Sequence, residues 1–160
     1  ILAEFGMFYG DWDDAELHHA KAFQLNPNDS RIITQRGELF TKLGQAEEGL
    51  AWLLKANQCD PLSAPGRAHL LARANFAARK YQEALNFYKQ IPKPRPDHLA
   101  EIAACYSKLD QAELSDTYVE RTLADKPEFS VKDYLSRQKW KQPADLDHWR
   151  EKLYGTRLPK

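Results

Sequence analysis

The sequence predicts an all-α fold: a right-handed α-α superhelix of about four helix–turn–helix units, closed by C-terminal capping helices. Three observations predict it. Small residues recur at Ala15, Gly49, Ala84 and Ser115, spaced 34, 35 and 31 residues apart, and two helices nest closely only where side chains shrink. Each lies in an apolar pattern of helical period, punctuated by Gly or Pro. Of the 160 residues, 42% are hydrophobic and 29% charged, which suits a folded chain and not a disordered one. Units of this kind cannot bury their apolar faces alone, so stacking three or more makes a continuous core.

The clearest unit, residues 30–63, is SRIITQRGELFTKLGQAEEGLAWLLKANQCDPLS. Its first helix carries Ile33, Gly37 and Phe40, and its second Gly49, Leu53 and Ala56. The chain hinges at Leu43-Gly44 and must turn at Pro61, which has no amide donor to continue the helix. Residues 1–29 form the preceding unit, with Gly10 at the turn and Pro27 at the end. Only about ten residues of its first helix are present, so the chain reads as a fragment. Asp11, Asp13 and Asp14 suit a helix N-terminus better than a metal loop. The adjacent His18 and His19 point about 100° apart on a helix and serve one ion poorly; they read as solvated or groove-lining.

Residues 64–95 form the third unit, with helices in AHLLARANFAAR and YQEALNFYKQ. Pro92, Pro94 and Pro96 cut its second helix short. The fourth, residues 96–129, pairs HLAEIAACYSKL with QAELSDTYVERTLADKP. Residues 1–129 are thus the array and 130–160 the cap. The cap reads as a short helix near Val131–Arg137 and a last one from Pro143 to Tyr154, with Pro at the first turn and Gly155 at the stop. Its eight Lys/Arg against four Asp/Glu leave room for a docking surface, but covering the exposed end of the stack is the plainer role.

Composition excludes several classes. Lys plus Arg equals Asp plus Glu at 23 each, so no global field draws nucleic acid or anionic membrane. No apolar run has the length of a membrane span, and the first residues do not show the basic, apolar, small-residue pattern of a signal peptide. Cys59 and Cys105 read as buried free thiols, and a cytoplasmic location is expected.

These patterns resemble tetratricopeptide repeats (TPR), helix–turn–helix units of about 34 residues, over nearly all of Ile1–Phe129. A narrower resemblance lies in Pro61-Leu62-Ser63 leading to Arg67, in IPKPRPDHLA, and in PEFSVKDYLSRQKWKQPADLDHWREKL. These are similar to bacterial arrays found C-terminal to adenylate/guanylate cyclase domains and to winged-helix regulators. Trp140, Lys141, Pro143, Ala144, Asp145 and His148 are the most specific part of that match. The ending Lys152 to Pro159 matches the group's closing sequence only in part. Gly6 and Asn75 stand where a TPR helix often has tyrosine, which predicts looser packing in units one and three. No cyclase domain is present, so no catalytic residue carries over.

The sequence holds no phosphate loop, paired-cysteine zinc spacing or nucleophile elbow; neither enzyme chemistry nor a cofactor or metal is expected. The expected activity is protein or peptide binding on the concave face, which the resemblance assigns to the first helix of each unit. By register that face holds Thr34, Glu38 and Thr41, then His69, Arg73 and Phe76, then Asp97, Ala100 and Ser107. The best-known TPR ligand mode grips a C-terminal carboxylate with Lys and Asn. Those positions here are Thr34, Glu38, Leu70, Asp97 and Glu101, so that clamp is missing. Arg73, Phe76 and His69 form the best local patch for an acidic or aromatic segment; a solvated arginine beside a packing phenylalanine is the plainer reading. Glu38, Asp97 and Glu101 argue against nucleic acid. Two readings stand: a non-catalytic interaction scaffold, and the regulatory region of a larger bacterial cyclase or transcriptional regulator. Self-association through the truncated first unit is a further expectation.

Overall fold

The computed structural model describes residues 2–160. Among the described residues ten α-helices follow one another: α1 Leu2–Tyr9, α2 Trp12–Leu25, α3 Ser30–Lys42, α4 Ala46–Cys59, α5 Ala64–Ala77, α6 Tyr81–Tyr88, α7 Pro96–Lys108, α8 Ala112–Asp125, α9 Val131–Ser136 and α10 Pro143–Tyr154. A 3₁₀ turn at Pro61–Ser63 joins α4 to α5. The first eight pair as α1/α2, α3/α4, α5/α6 and α7/α8, each pair packing on the next, α2 on α3, α4 on α5 and α6 on α7.

One backbone device makes each pair. The residue at each tight turn takes positive φ: Gly10 (81°), Gly44 (89°), Arg79 (64°) and Asp110 (58°). Their spacing repeats that of the small contact residues, because turn and contact belong to the same hairpin. Glycine enters this region freely, aspartate tolerates it, and for a bulky residue such as arginine it is an outlier.

The small residues act where the sequence places them. Ala15, Ala56 and Ala84 are fully buried. A Cβ on Gly49 would stand 2.3 Å from Thr41 Oγ1 and 2.7 Å from the Gly37 carbonyl oxygen. Gly49→Ala should therefore destabilise by about 1–3 kcal/mol through overpacking. Gly66→Ala, with open space around the new Cβ, should match or exceed the parent by up to about 1 kcal/mol. Equal urea midpoints for the two variants would contradict this.

Two packing expectations are corrected. Gly6 does not loosen unit one: a Cβ there would meet the Ala15 amide and the Asp11 carbonyl at 2.8 Å, so its absence lets α1 and α2 approach. Asn75 is buried and donates from Nδ2 to the Leu71 carbonyl at 2.8 Å, closing its polar group within α5. Cys105 is buried, and burial raises its thiol pKa well above the ordinary value, but Cys59 is exposed at the last residue of α4. Asp11 caps α2, accepting from the Asp14 amide. His19 is buried, with Nε2 3.0 Å from the Ile32 carbonyl that accepts from it.

The core is uneven. One continuous cluster joins α5–α8 to α9 and α10, with Phe76, Tyr88, Val131, Tyr134, Trp149 and Leu153 inside it. A small cluster of Met7, Ala15, Leu39 and Leu43 holds α1–α3, and Leu50, Leu53, Leu71 and Ala74 join α4 to α5. The C-terminal helices were expected to cover the end of the stack. Instead α10 lies against α7 and α5, across the first-helix face.

Candidate functional site

The face made by α3, α5 and α7 is the candidate site, and the tail from Val131 onward runs along it. Tyr134 of α9 reaches the middle of α7, where it donates to Glu101 Oε1. In the connector, Gln138 accepts from Arg73 Nη2 at 2.6 Å. Further on, the Lys141 amide donates to the Lys42 carbonyl at 2.9 Å, and its Nζ pairs with Glu16 on α2 at 2.8 Å. Asp145 and Gln142 pass so near Gly44 that a Cβ there would be 2.8 Å from Asp145 Oδ2. His148 Nε2 donates to the Phe76 carbonyl at 3.3 Å, and the Ser107 hydroxyl donates to the Gly155 carbonyl at 3.3 Å. The tail therefore touches all four helix pairs.

Beneath it lies a buried polar network. Glu101, 1% exposed, accepts from the hydroxyls of Tyr88 and Tyr134 and pairs with Arg73, Nε to Oε1 3.3 Å. Burial and the Glu101 charge hold both phenols well above their ordinary pKa. Burial opposes the Arg73 charge, but neighbouring Tyr134 and Glu101 more than offset it and raise its pKa. The guanidinium also sits 5.3 Å from the Trp149 ring centroid, and that ring stacks on Phe76 at 4.1 Å.

The sequence-derived residues fall into two sets. Arg73, Phe76 and Ser107 are engaged by the tail, and Phe76 is wholly buried, so the expected open patch of His69, Arg73 and Phe76 is not exposed as a unit. Ala100 is wholly buried as well. Thr41 is buried at the α3–α4 contact, its hydroxyl donating to the Gly37 carbonyl at 2.8 Å. Thr34 accepts from Arg67 Nε at 2.8 Å, and Arg67 also binds Asp60 (Nη2–Oδ2 3.1 Å), which ties unit two to unit three. Glu38, Thr41 and Arg73 do converge, lining a small recess roofed by Trp140.

Glu38, His69 and Asp97 remain half-exposed, one on each of α3, α5 and α7. Glu38 pairs with Lys42 at 3.5 Å and Asp97 with Arg95 at 2.7 Å. The His69 ring stacks on His98 with centroids 5.8 Å apart. The residues that sequence reasoning missed are Glu101, Tyr134, Gln138 and Trp149 acting together. Their signal is the alanine-rich faces of α5 and α7, which leave space for large aromatic side chains.

His19, His69, His98 and His148 are all held below the ordinary imidazole pKa, burial being the largest cause at each. The unfolded chain therefore binds more protons between the folded values and 6.5, so stability is complete above 6.5 and falls as pH drops through that window. Asp29, Asp60 and Asp97 are held below their ordinary pKa, so they titrate beneath that window. Urea midpoints should thus fall from about pH 7.5 to about pH 5.5; an unchanged midpoint would contradict this.

No protein-family model matches the chain. It is 29% identical over 108 residues to Hsp70-Hsp90 organizing protein 1 of Glycine max and to Hsp70-Hsp90 organizing protein 3 of Arabidopsis thaliana, covering 66% of this chain and 19% of each relative. It is 31% identical over 81 residues to small glutamine-rich tetratricopeptide repeat-containing protein 2 of Mycosarcoma maydis, covering 50% of this chain and 22% of that one. Among solved structures, MamA superposes with a TM-score of 0.67 at 17% identity, over 97% of this chain and 92% of that one.

The chain has the fold of a tetratricopeptide-repeat solenoid. It spans about a fifth of the length of the organizing proteins it matches. Among its described residues, no helix of the array is long and apolar enough to cross a membrane, and no group of His, Cys, Asp and Glu is placed to hold a metal ion.

Proposed function

We propose that this array is a non-catalytic interaction scaffold that binds a peptide or partner protein along its first-helix face. The observation that carries the reading is the row Glu38, His69 and Asp97, each half-exposed on a successive first helix. Thr34, Thr41, Arg73, Phe76 and Ser107 serve that face from beneath by fixing the helices and the tail. Stacked repeats present extended surfaces suited to such ligands, and the names of the relatives, organizing and tetratricopeptide-repeat proteins, accord with it. The acid and apolar residues at the carboxylate-clamp positions direct the proposal away from a chaperone tail in this groove. A photo-crosslinking residue at His69 should capture a defined partner in cells, whereas one at exposed Glu120 on α8 should not. Equal capture at both positions would overturn the assignment of the face.

The second reading is the regulatory region of a larger bacterial cyclase or transcriptional regulator, in the cytoplasm. Its support is the Trp140–His148 segment, whose similarity to that group coincides with the stretch that straps the array. The reading frame upstream of Ile1 tests it. Self-association through α1 and α2, where Phe8, Tyr9, Leu17 and Leu25 are exposed, is proposed as well; light scattering that stayed monomeric across a concentration series would count against it.

A further inference from the structure

We infer that the cleft between the α5–α6 turn, the end of α7 and α10 binds an acidic, Asp/Glu-containing segment of a partner protein. This rests on the scaffold reading and names a second surface, with its chemistry. The cleft is open to solvent, measures about 540 Å³, and is walled on one side by the docked tail. Three cations line it from three stretches of chain: Arg79, Lys108 and Lys152.

Two carboxylates also line the cleft, but each already has a cation. Glu151 is paired with Lys152, and Asp147 with Arg150. Among the described residues, neither Arg79 nor Lys108 has a carboxylate within ion-pair distance; Asp145 and Glu151 act on them only at longer range, so neither cation is closed by an ion pair. The groups around them register that field. Arg79 and Lys152 push the buried His148 further below its ordinary pKa after burial itself, and Lys152 and Lys108 help hold Glu151 down. Lys152 is only 9% exposed, so its charge acts at reduced screening.

Arg79 supplies an independent indication. It occupies the turn position with φ of 64°, where the first two units have glycine. That conformation disfavours a long side chain, and glycine there would build the same turn at lower cost. The position thus gives up local stability while placing an exposed guanidinium at the edge of the cleft, where its Nη1 donates to the Ala77 carbonyl at 3.3 Å. A continuous phosphate backbone would meet the Asp147 and Glu151 carboxylates at the rim. A peptide with one or two carboxylates among neutral or basic residues avoids that repulsion and gains charge-assisted hydrogen bonds.

The test uses the whole chain and a fluorescein-labelled 12-residue glycine peptide carrying two Glu residues, read by anisotropy, with the same peptide carrying two Gln residues as control. Arg79→Gly with Lys108→Gln should weaken Glu-peptide binding at least fivefold while melting at or above the parent temperature. Lys126→Gln with Lys132→Gln, an equal loss of charge elsewhere, should change binding less than twofold. The cleft assignment is overturned by no binding of the Glu peptide, by equal weakening in both double variants, or by tighter binding of an RNA oligonucleotide or inorganic phosphate. His69 crosslinking is unaffected by any of these results, so the scaffold reading stands or falls separately.

Discussion

Trp149→Ala is expected to lower the melting temperature by about 10 °C and to free the tail from the array. The indole is wholly buried, stacks on Phe76 at 4.1 Å, lies 5.6 Å from the Trp140 ring and faces the Arg73 guanidinium. Removing a buried tryptophan costs about 3–5 kcal/mol through lost transfer energy and the cavity left behind. A chain of this size shifts by about 2–4 °C per kcal/mol. The loss should not spread evenly. Trp149 belongs to the cluster joining α5–α8 to α9 and α10, whereas α1–α3 pack on a separate small cluster. Proteolysis should therefore open first at the Arg137–Lys141 connector, held to the array by Gln138–Arg73 and Lys141–Lys42. Calorimetry and timed trypsin digestion would report both effects. A variant that melts within 2–3 °C of the parent, with its connector still protected, would show that the tail is held elsewhere.

The repeat was legible in the sequence because its signals are local. Gly44 and Pro61 act through φ and a missing amide, and Ala15, Gly49 and Ala84 through side-chain size, so their spacing alone reports the hairpins. The bounds of α9 and α10 were legible for the same reason, Pro143 and Gly155 marking the ends of the last helix. The docking of that helix was not. Where α10 lies depends on the fit of Trp149 and Tyr134 against residues some 30 to 80 positions earlier, among them Phe76, Arg73 and Glu101. No periodicity within α10 encodes that distance. Arg73 shows the consequence. Read on α5 alone, it is a cation on an exposed helix face; the tail turns the same residue into part of a buried network, and Phe76 and Ser107 change role with it. Glu38, His69 and Asp97 kept a surface position because the tail crosses the face beside them.

The Arg73–Glu101 pair carries the second large effect. Arg73→Met leaves the Glu101 carboxylate buried with only the two tyrosine hydroxyls, and Glu101→Gln leaves the Arg73 charge without its counterion. Breaking a buried pair from either side costs about 3–5 kcal/mol, because the remaining charge stays desolvated. The double variant removes both charges, so its cost should resemble that of one single variant and not their sum. A coupling of about 2–3 kcal/mol is expected from urea denaturation of the four proteins. The link to the tail makes the prediction sharper. Arg73 donates to Gln138, and Tyr134 donates to Glu101, so either single change should also speed amide exchange in α9 and the connector, while α1–α4 keep parent protection. Additive costs, or faster exchange spread evenly over the chain, would mean that the network is a bystander to tail docking. The apolar contacts of Trp149 and Leu153 would then hold the tail on their own.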